Sequence, residues 1–396
     1  MKDLKHLLYY ENLLQESNND LVRQAKDAGK IAIGSVCNQI PEVLLNLPGT
    51  FSSRLRAPNT TSMEMGTYYM TSLTCEYCRA MLERALEGSY QYLDCIFEPA
   101  SCSQLADCME NIEELHLCNG EKFFVQHVDT PMKDDENGIK HMTHMSRVRV
   151  LDKLKEDFGI DTSDVALREA VALHNEVCQL ITEMGLYRKL DNPTITGYEF
   201  AVMTLATYCC PKDLILPYLR ETAEDLKTRL PDAKNPHRVR VLVSGSEIDD
   251  PSFIKLIEDA GAYVAADRFC FGSFPGRQPL ILNETEDILL QICRDNVTEC
   301  QCPRYMNTSK INGRKAYLDQ LAREYKAEGI IFQQMNFCNF WGYERAGATH
   351  ILTQDYHWPV LSVDRPYSVG NSGQLRTRVQ AFVERVELKK LQGGKD

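Results

Sequence analysis

Short apolar runs alternate with stretches of helical spacing twice along this chain, once in each half. Ile31-Ala-Ile-Gly-Ser-Val36, Tyr92-Leu-Asp-Cys-Ile-Phe97 and Lys122-Phe-Phe-Val-Gln-His127 read as strands in the first part. Val239-Arg-Val-Leu-Val243, Tyr263-Val-Ala-Ala266, Ile330-Ile-Phe-Gln-Gln-Met335 and Pro359-Val-Leu-Ser-Val363 do so in the last. Helical spacing covers 3–28, 75–88, 103–115, 251–260, 310–328 and 374–388, with Gly29, Gly261 and Gly329 as stops. Strands that alternate with helices imply a parallel, doubly wound sheet. Residues from Lys140 to Leu230 are helical by pattern and hold no clear strand; Ile160-Asp-Thr-Ser-Asp-Val starts one helix with several candidate caps. Residues 46–72, rich in Pro, Gly, Asn, Ser and Thr, read as a long irregular segment. A chain of 396 residues exceeds one ordinary core. The expected fold class is therefore α/β, with two doubly wound domains at 1–139 and 236–396 and a helical segment at 140–235 between them. The crevice between the domains is the default site.

The cysteines fall where such a fold would use them. Cys37, Cys102 and Cys338 each sit just past the carboxyl end of an expected strand, where the loops of an open parallel sheet line the ligand crevice. Cys75 opens an expected helix, whose positive end favours the thiolate. Cys300-Gln-Cys302 adds a close pair. Thiolates gathered at a crevice suit a soft metal centre, and an iron–sulfur cluster leads. Cys178, Cys209, Cys210 and Cys270 read as plain core residues.

Composition narrows the classes. With 44 basic and 56 acidic residues the net charge is −12, which argues against nucleic acid as the main partner. No window is apolar enough to span a bilayer, and the charged start, Met1-Lys-Asp-Leu-Lys-His, lacks a signal-peptide core. A cytoplasmic protein is expected. Fifteen cysteines in a reducing compartment then point away from a disulfide scaffold. The sequons at Asn59, Asn283, Asn296 and Asn307 become chance matches.

Other candidates carry two readings each. Cys75-Glu-Tyr-Cys78 invites zinc or redox chemistry, but zinc wants a second matched pair and Cys300-Gln-Cys302 has the wrong spacing. His141-Met-Thr-His144 is a ligand pair or a solvated helix start. Glu42 is a first-turn helix carboxylate or a polar group beside Cys37. Arg376 and Arg378 open the last helix as an anion site or as surface charges, with Asp364 a candidate partner.

The chain resembles the 2-hydroxyacyl-CoA dehydratase family, which also holds ATP-dependent benzoyl-CoA reductase subunits and double-cubane cluster proteins. The matching residues are Gly34-Ser-Val-Cys-Asn-Gln-Ile-Pro-Glu42; Cys75 with Arg79, Leu86-Glu-Gly88 and Tyr92-Leu-Asp94; Ala100-Ser-Cys102; Asn336-Phe-Cys338; and Val363-Asp364 with Gly373-Gln-Leu-Arg-Thr-Arg-Val-Gln-Ala-Phe382. The resemblance implies two α/β domains with an iron–sulfur cluster between them. It implies a heterodimer with a second family subunit, each subunit holding a [4Fe–4S] cluster on three cysteines, here Cys75, Cys102 and Cys338. A separate ATP-dependent iron–sulfur activator injects one electron, and an (R)-2-hydroxyacyl-CoA loses water through a ketyl radical. Cys37 matches a variable position near the cluster, and with Glu42 it is a candidate catalytic residue. The chain departs from the pattern at Val43, where the family has a second glutamate, at Ser103, where an aspartate is common, and at the extra thiol Cys78. Cys300 and Cys302 leave open a double-cubane [8Fe–9S] reductase of small molecules. A benzoyl-CoA-reductase-type subunit is the other alternative.

Overall fold

The computed structural model describes residues 3–120, 122–231, 237–272, 278–368 and 372–393. Strands β1 (Ile31–Ser35), β2 (Thr50–Arg54), β3 (Cys95–Pro99) and β4 (Phe124–Val128) form one sheet in the order β2-β1-β3-β4. Strands β5 (Val239–Gly245), β6 (Ala262–Phe269), β7 (Gly329–Met335) and β8 (Val360–Arg365) form a second in the order β6-β5-β7-β8. Every pairing is parallel, from Ile31 opposite Thr50 in the first sheet to Met335 opposite Arg365 in the second. Both sheets therefore share one winding, and each reverses direction next to its first strand. Such a switch point opens a crevice at the carboxyl ends of the strands on either side.

Helices cover both sheets. The N-terminal half carries α1 (Leu7–Leu13), α2 (Asp20–Asp27), α3 (Glu64–Met70), α4 (Glu76–Leu86) and α5 (Ser103–Glu114). The strandless middle holds α6 (Glu136–Met145), which continues through a π-helical turn into α7 (Asp152–Phe158), then α8 (Asp164–Leu186), α9 (Gly197–Cys209) and α10 (Lys212–Leu226). The last part carries α11 (Ser252–Asp259), α12 (Ile288–Glu299), α13 (Thr308–Glu324), α14 (Asn339–Gln354) and α15 (Gly373–Gly393). Caps set several starts: Ser163 accepts from the Ala166 amide, and Thr196 with Glu199 forms a reciprocal capping box. Among the described residues no helix is long and apolar enough to cross a membrane.

The halves interlock. Leu280, Ile288, Ile292, Val297 and Tyr305 lie beyond β6 in the chain, yet they pack into one core with Ile33, Phe97 and Val128 of the first sheet. Arg304 fastens this segment by donating to the carbonyls of Thr130 (2.8 Å), Pro131 (2.7 Å) and Ala100 (3.0 Å).

Two expectations need correction. The single helix expected over 3–28 is broken into α1 and α2, because the Asn19 side chain accepts from the Leu21 and Val22 amides and restarts the helix. The segment 46–72 is not irregular throughout, since it contains β2 and α3. Strand β2 is polar, Thr50-Phe-Ser-Ser-Arg54, but its hydroxyls are satisfied internally: Thr50 donates to the Leu47 carbonyl and Ser53 bonds the Tyr92 hydroxyl. Pairing with β1 overrides its weak strand propensity. The expected division at 235/236 lies outside the described residues.

Candidate functional site

The carboxyl ends of the two sheets face one hollow of about 60 Å³, lined by seven cysteines: Cys37, Cys75, Cys78, Cys102, Cys270, Cys302 and Cys338. The first sheet supplies Cys37 two residues past β1 and Cys102 past β3, where it caps α5. Cys75 caps α4. The second sheet supplies Glu247 past β5, Cys270 past β6, and Cys338 past β7 at the cap of α14. The turn before Cys338 is strained. Phe337 adopts φ 66°, a left-handed conformation that an aromatic residue rarely takes, and such strain collects at functional sites.

Cys75 is the electrostatic exception among these thiols. Hydrogen bonds from the Cys338 and Cys78 thiols, with the Tyr77 and Cys78 amides of the α4 start, hold it well below the ordinary thiol range. The hydrogen bond to Cys75, and then burial, push Cys78 and Cys338 well up; burial pushes Cys102 to about 12 and Cys37, with help from neighbouring Cys302, to about 11. Glu247 lies 3.7 Å from the Cys75 sulfur; burial, and then the charge of that sulfur, push its carboxyl well above the usual range. Glu76 ties the two halves together at the rim. Its carboxylate accepts from the Asn336 side chain (3.1 Å) and the Tyr367 amide (2.6 Å), and its own amide donates to the Asn336 carbonyl (3.3 Å).

A second hollow of about 40 Å³ adjoins the first and shares Cys37, Cys270, Cys302 and Trp341 with it. It adds Cys300, whose sulfur lies 3.6 Å from the Gln39 side-chain nitrogen, and the buried Arg268.

Among the described residues no group of three or more His, Cys, Asp or Glu side chains stands in position to hold a single metal ion. The sulfurs instead spread around a cavity whose other walls include Val36, Leu105, Phe340 and Trp341. A lining of seven thiols and largely apolar walls, with Glu247 as its one carboxyl, fits the ligand chemistry of an iron–sulfur cluster better than that of a hard cation.

The structure thus brings Cys37, Cys75, Cys102 and Cys338 together, and it adds Cys78 and Cys302. Cys178, Cys209 and Cys210 are buried in the interior, as expected. Cys270 is not a plain core residue, since it lines both hollows. Glu42 begins a short 3-10 helix (Glu42–Leu45) and pairs with buried Lys212 at 2.6 Å. It lines a separate small hollow with Asn38 and His174. His141 bonds Asp129 at the surface (3.0 Å), away from the thiols. Asp364 pairs with Arg345 (2.7 Å) rather than with Arg376 or Arg378, and Arg378 donates to the Ser362 carbonyl (2.8 Å). The sequence reading missed Glu247, Arg268 and Trp341. Applying the strand-end rule to all residue types would have found Glu247, two residues past β5; nothing local marks Arg268.

Comparisons with known proteins identify the family of the chain. The sequence profile of the family described as 2-hydroxyglutaryl-CoA dehydratase, D-component, matches residues 37–386. An (R)-phenyllactyl-CoA dehydratase beta subunit from Clostridium sporogenes is 23% identical, over 95% of this chain and 97% of its own. The beta subunit of (R)-2-hydroxyglutaryl-CoA dehydratase from Acidaminococcus fermentans is 24% identical, over 93% of this chain and 96% of its own.

Proposed function

Because the chain belongs to the 2-hydroxyglutaryl-CoA dehydratase D-component family, we propose that it is the iron–sulfur subunit of a radical 2-hydroxyacyl-CoA dehydratase. The observation that carries this reading is the convergence of Cys75, Cys102 and Cys338 from both halves on one hollow. A [4Fe–4S] cluster on those three thiolates would supply one electron to the thioester carbonyl of an (R)-2-hydroxyacyl-CoA, giving a ketyl radical anion that expels the 2-hydroxyl group.

The chain's own residues do the rest. Leu105, Phe340 and Trp341 exclude water from the thiols. Hydrogen bonds from Cys338 and Cys78, with the amides of the α4 start, favour the thiolate of Cys75. Glu76 holds the Cys75 and Cys338 loops in register. Cys37 stands at the junction of the two hollows, where it would face a substrate. In this reading the chain works beside a second family subunit, in keeping with relatives that are named beta subunits. A separate ATP-dependent iron–sulfur activator supplies the electron, and the assembly is cytoplasmic.

The test is iron and sulfide analysis of anaerobically purified protein, followed by turnover with the second subunit, activator and ATP. About four irons per chain and strictly ATP-dependent dehydration are expected. Turnover of a 2-hydroxyacyl-CoA by this chain alone, without ATP, would sink the reading. A double-cubane reductase is the second reading, favoured by Cys37, Cys300 and Cys302 sharing the adjoining hollow. Serine at both Cys300 and Cys302 separates the two. A single cubane keeps its iron in that double mutant, whereas a double cubane starts with about eight irons and loses roughly half.

A further inference from the structure

The smaller hollow has a charge that its protein walls do not balance. Arg268 is 1% exposed and lies against the Trp341 ring, its guanidinium carbon 4.9 Å from the ring centroid. Its Nη2 donates to the Gln301 carbonyl (2.5 Å), but its Nε and Nη1 have no partner among the described residues. The acidic group that acts on it most, Glu344, is already engaged by Arg314 (2.8 Å) and Lys315 (2.9 Å). Further cations close around the same loop. Lys310, paired with Asp134 (3.6 Å), donates to the Cys300 carbonyl (3.4 Å), Arg314, paired with Glu344, donates to the Cys302 carbonyl (3.3 Å), and buried Arg54 has its own Nε and Nη1 unpartnered.

The unpartnered guanidinium donors of Arg268 and Arg54 sit in a chain of net charge −12. A buried guanidinium without a counter-charge is costly, so the walls are matched to an anionic guest. A ring-stacked guanidinium offers its donors in its own plane, and that geometry suits a flat carboxylate. The space, about 40 Å³, is room for roughly three waters at ~10–15 Å³ each. It admits a carboxylate with a short tail and excludes a nucleotide phosphate.

We propose that this hollow is an anion pocket that binds a small carboxylate through Arg268, with the amide side chains of Asn38, Gln39 and Asn296 completing its wall. The carboxylate is either a free organic acid or the far end of the acyl chain of a CoA thioester. Only the second form rests on the dehydratase reading.

The test uses anaerobically purified protein and follows alkylation of half-buried Cys302 by iodoacetamide, mapped by peptide mass spectrometry. Cys118, which lines neither hollow, is the internal reference. Propionate at about ten times its Kd should slow alkylation of Cys302 about tenfold, because only the free fraction reacts. Cys118 should be unaffected, and neutral propionamide should not protect. Arg268→Met should abolish the protection. Equal protection by propionamide, no protection by propionate, or full protection in a folded Arg268→Met protein would each overturn the proposal. If Arg268→Met fails to fold, the contrast between propionate and propionamide decides alone. Protection by glutaryl-CoA but not by butyryl-CoA would identify the acyl end as the source. Protection by propionate with neither thioester effective would leave the pocket standing as a free-anion site and count against the substrate reading.

Discussion

The two sheets share a strand order and differ in what their switch points present. At the carboxyl ends of β1 and β3 the first sheet offers two thiols, Cys37 and Cys102. At the equivalent ends of β5 and β7 the second offers a carboxyl, Glu247, and one thiol, Cys338. Their supporting chemistry differs as well. Glu98, near the end of β3, is buried beside His127 at 2.8 Å. Gln333, near the end of β7, is neutral and fully engaged, donating to the Ser246 carbonyl (2.6 Å) and accepting from Arg365 (2.8 Å). One winding has been used twice, but the ring of thiols around the hollow is complete only with both halves together. The site belongs to the interface and to neither sheet.

The sharpest way to break that comparison is to remove one thiol from each side. Serine at Cys102 in the first half, or at Cys338 in the second, should abolish the visible absorption of the anaerobic protein and all turnover. If either mutant kept its full iron content, the two halves would not contribute alike and the assignment would fail.

A backbone test comes next. The last residue of β5 is Gly245, with φ 139°, and an added Cβ would stand 1.8 Å from the Gln333 carbonyl oxygen. The last residue of β1 is Ser35, so the first sheet has no such constraint there. Gly245→Ala should cost about 3 kcal/mol or more, because neither the φ nor the close backbone contact can relax cheaply. Gly34→Ala, whose Cβ would meet side-chain rather than backbone atoms (Ile96 Cγ1 at 2.7 Å and Leu93 Cδ1 at 3.0 Å) at an ordinary φ, should cost less, about 1–3 kcal/mol. Denaturant melts of the two variants check this order.

The smallest effect sharpens the contrast in charge. Burial raises the Glu98 carboxyl to about 7, while His127 pulls it the other way. The folded protein therefore keeps a proton that the unfolded chain has released, between about pH 4.3 and the folded value. Stability should fall as pH rises through that window, by on the order of 2 kcal/mol, and stay level above it. Glu98→Gln should flatten the slope. Melting temperatures at about pH 5 and about pH 7.5 test this; an unchanged slope in the variant would remove Glu98 from the account.

Much of this was legible in the chain itself. Seven of the eight strands announced themselves as apolar runs, and Cys37, Cys75, Cys102 and Cys338 were marked by their places at strand ends and a helix start. Strand β2 was hidden because its residues are polar and its hydroxyls find partners only in the folded state. The break between α1 and α2 was hidden by leucine spacing that continues across it. Cys270 looked like core because a free cysteine past a strand has no local mark that separates packing from lining a cavity.

What the sequence determined alone was local and periodic: apolar runs that must be buried, glycines that end helices, and thiols placed two or three residues beyond strands. What only the tertiary structure decided was which of those ends meet. Glu247, Arg268 and Cys338 come to Cys37, Cys75 and Cys102 across separations of more than a hundred residues, because interlocking cores bring the carboxyl ends of the two sheets together. No local pattern encodes that approach; it follows from burying the faces of both sheets and the segment around Arg304 in a shared interior.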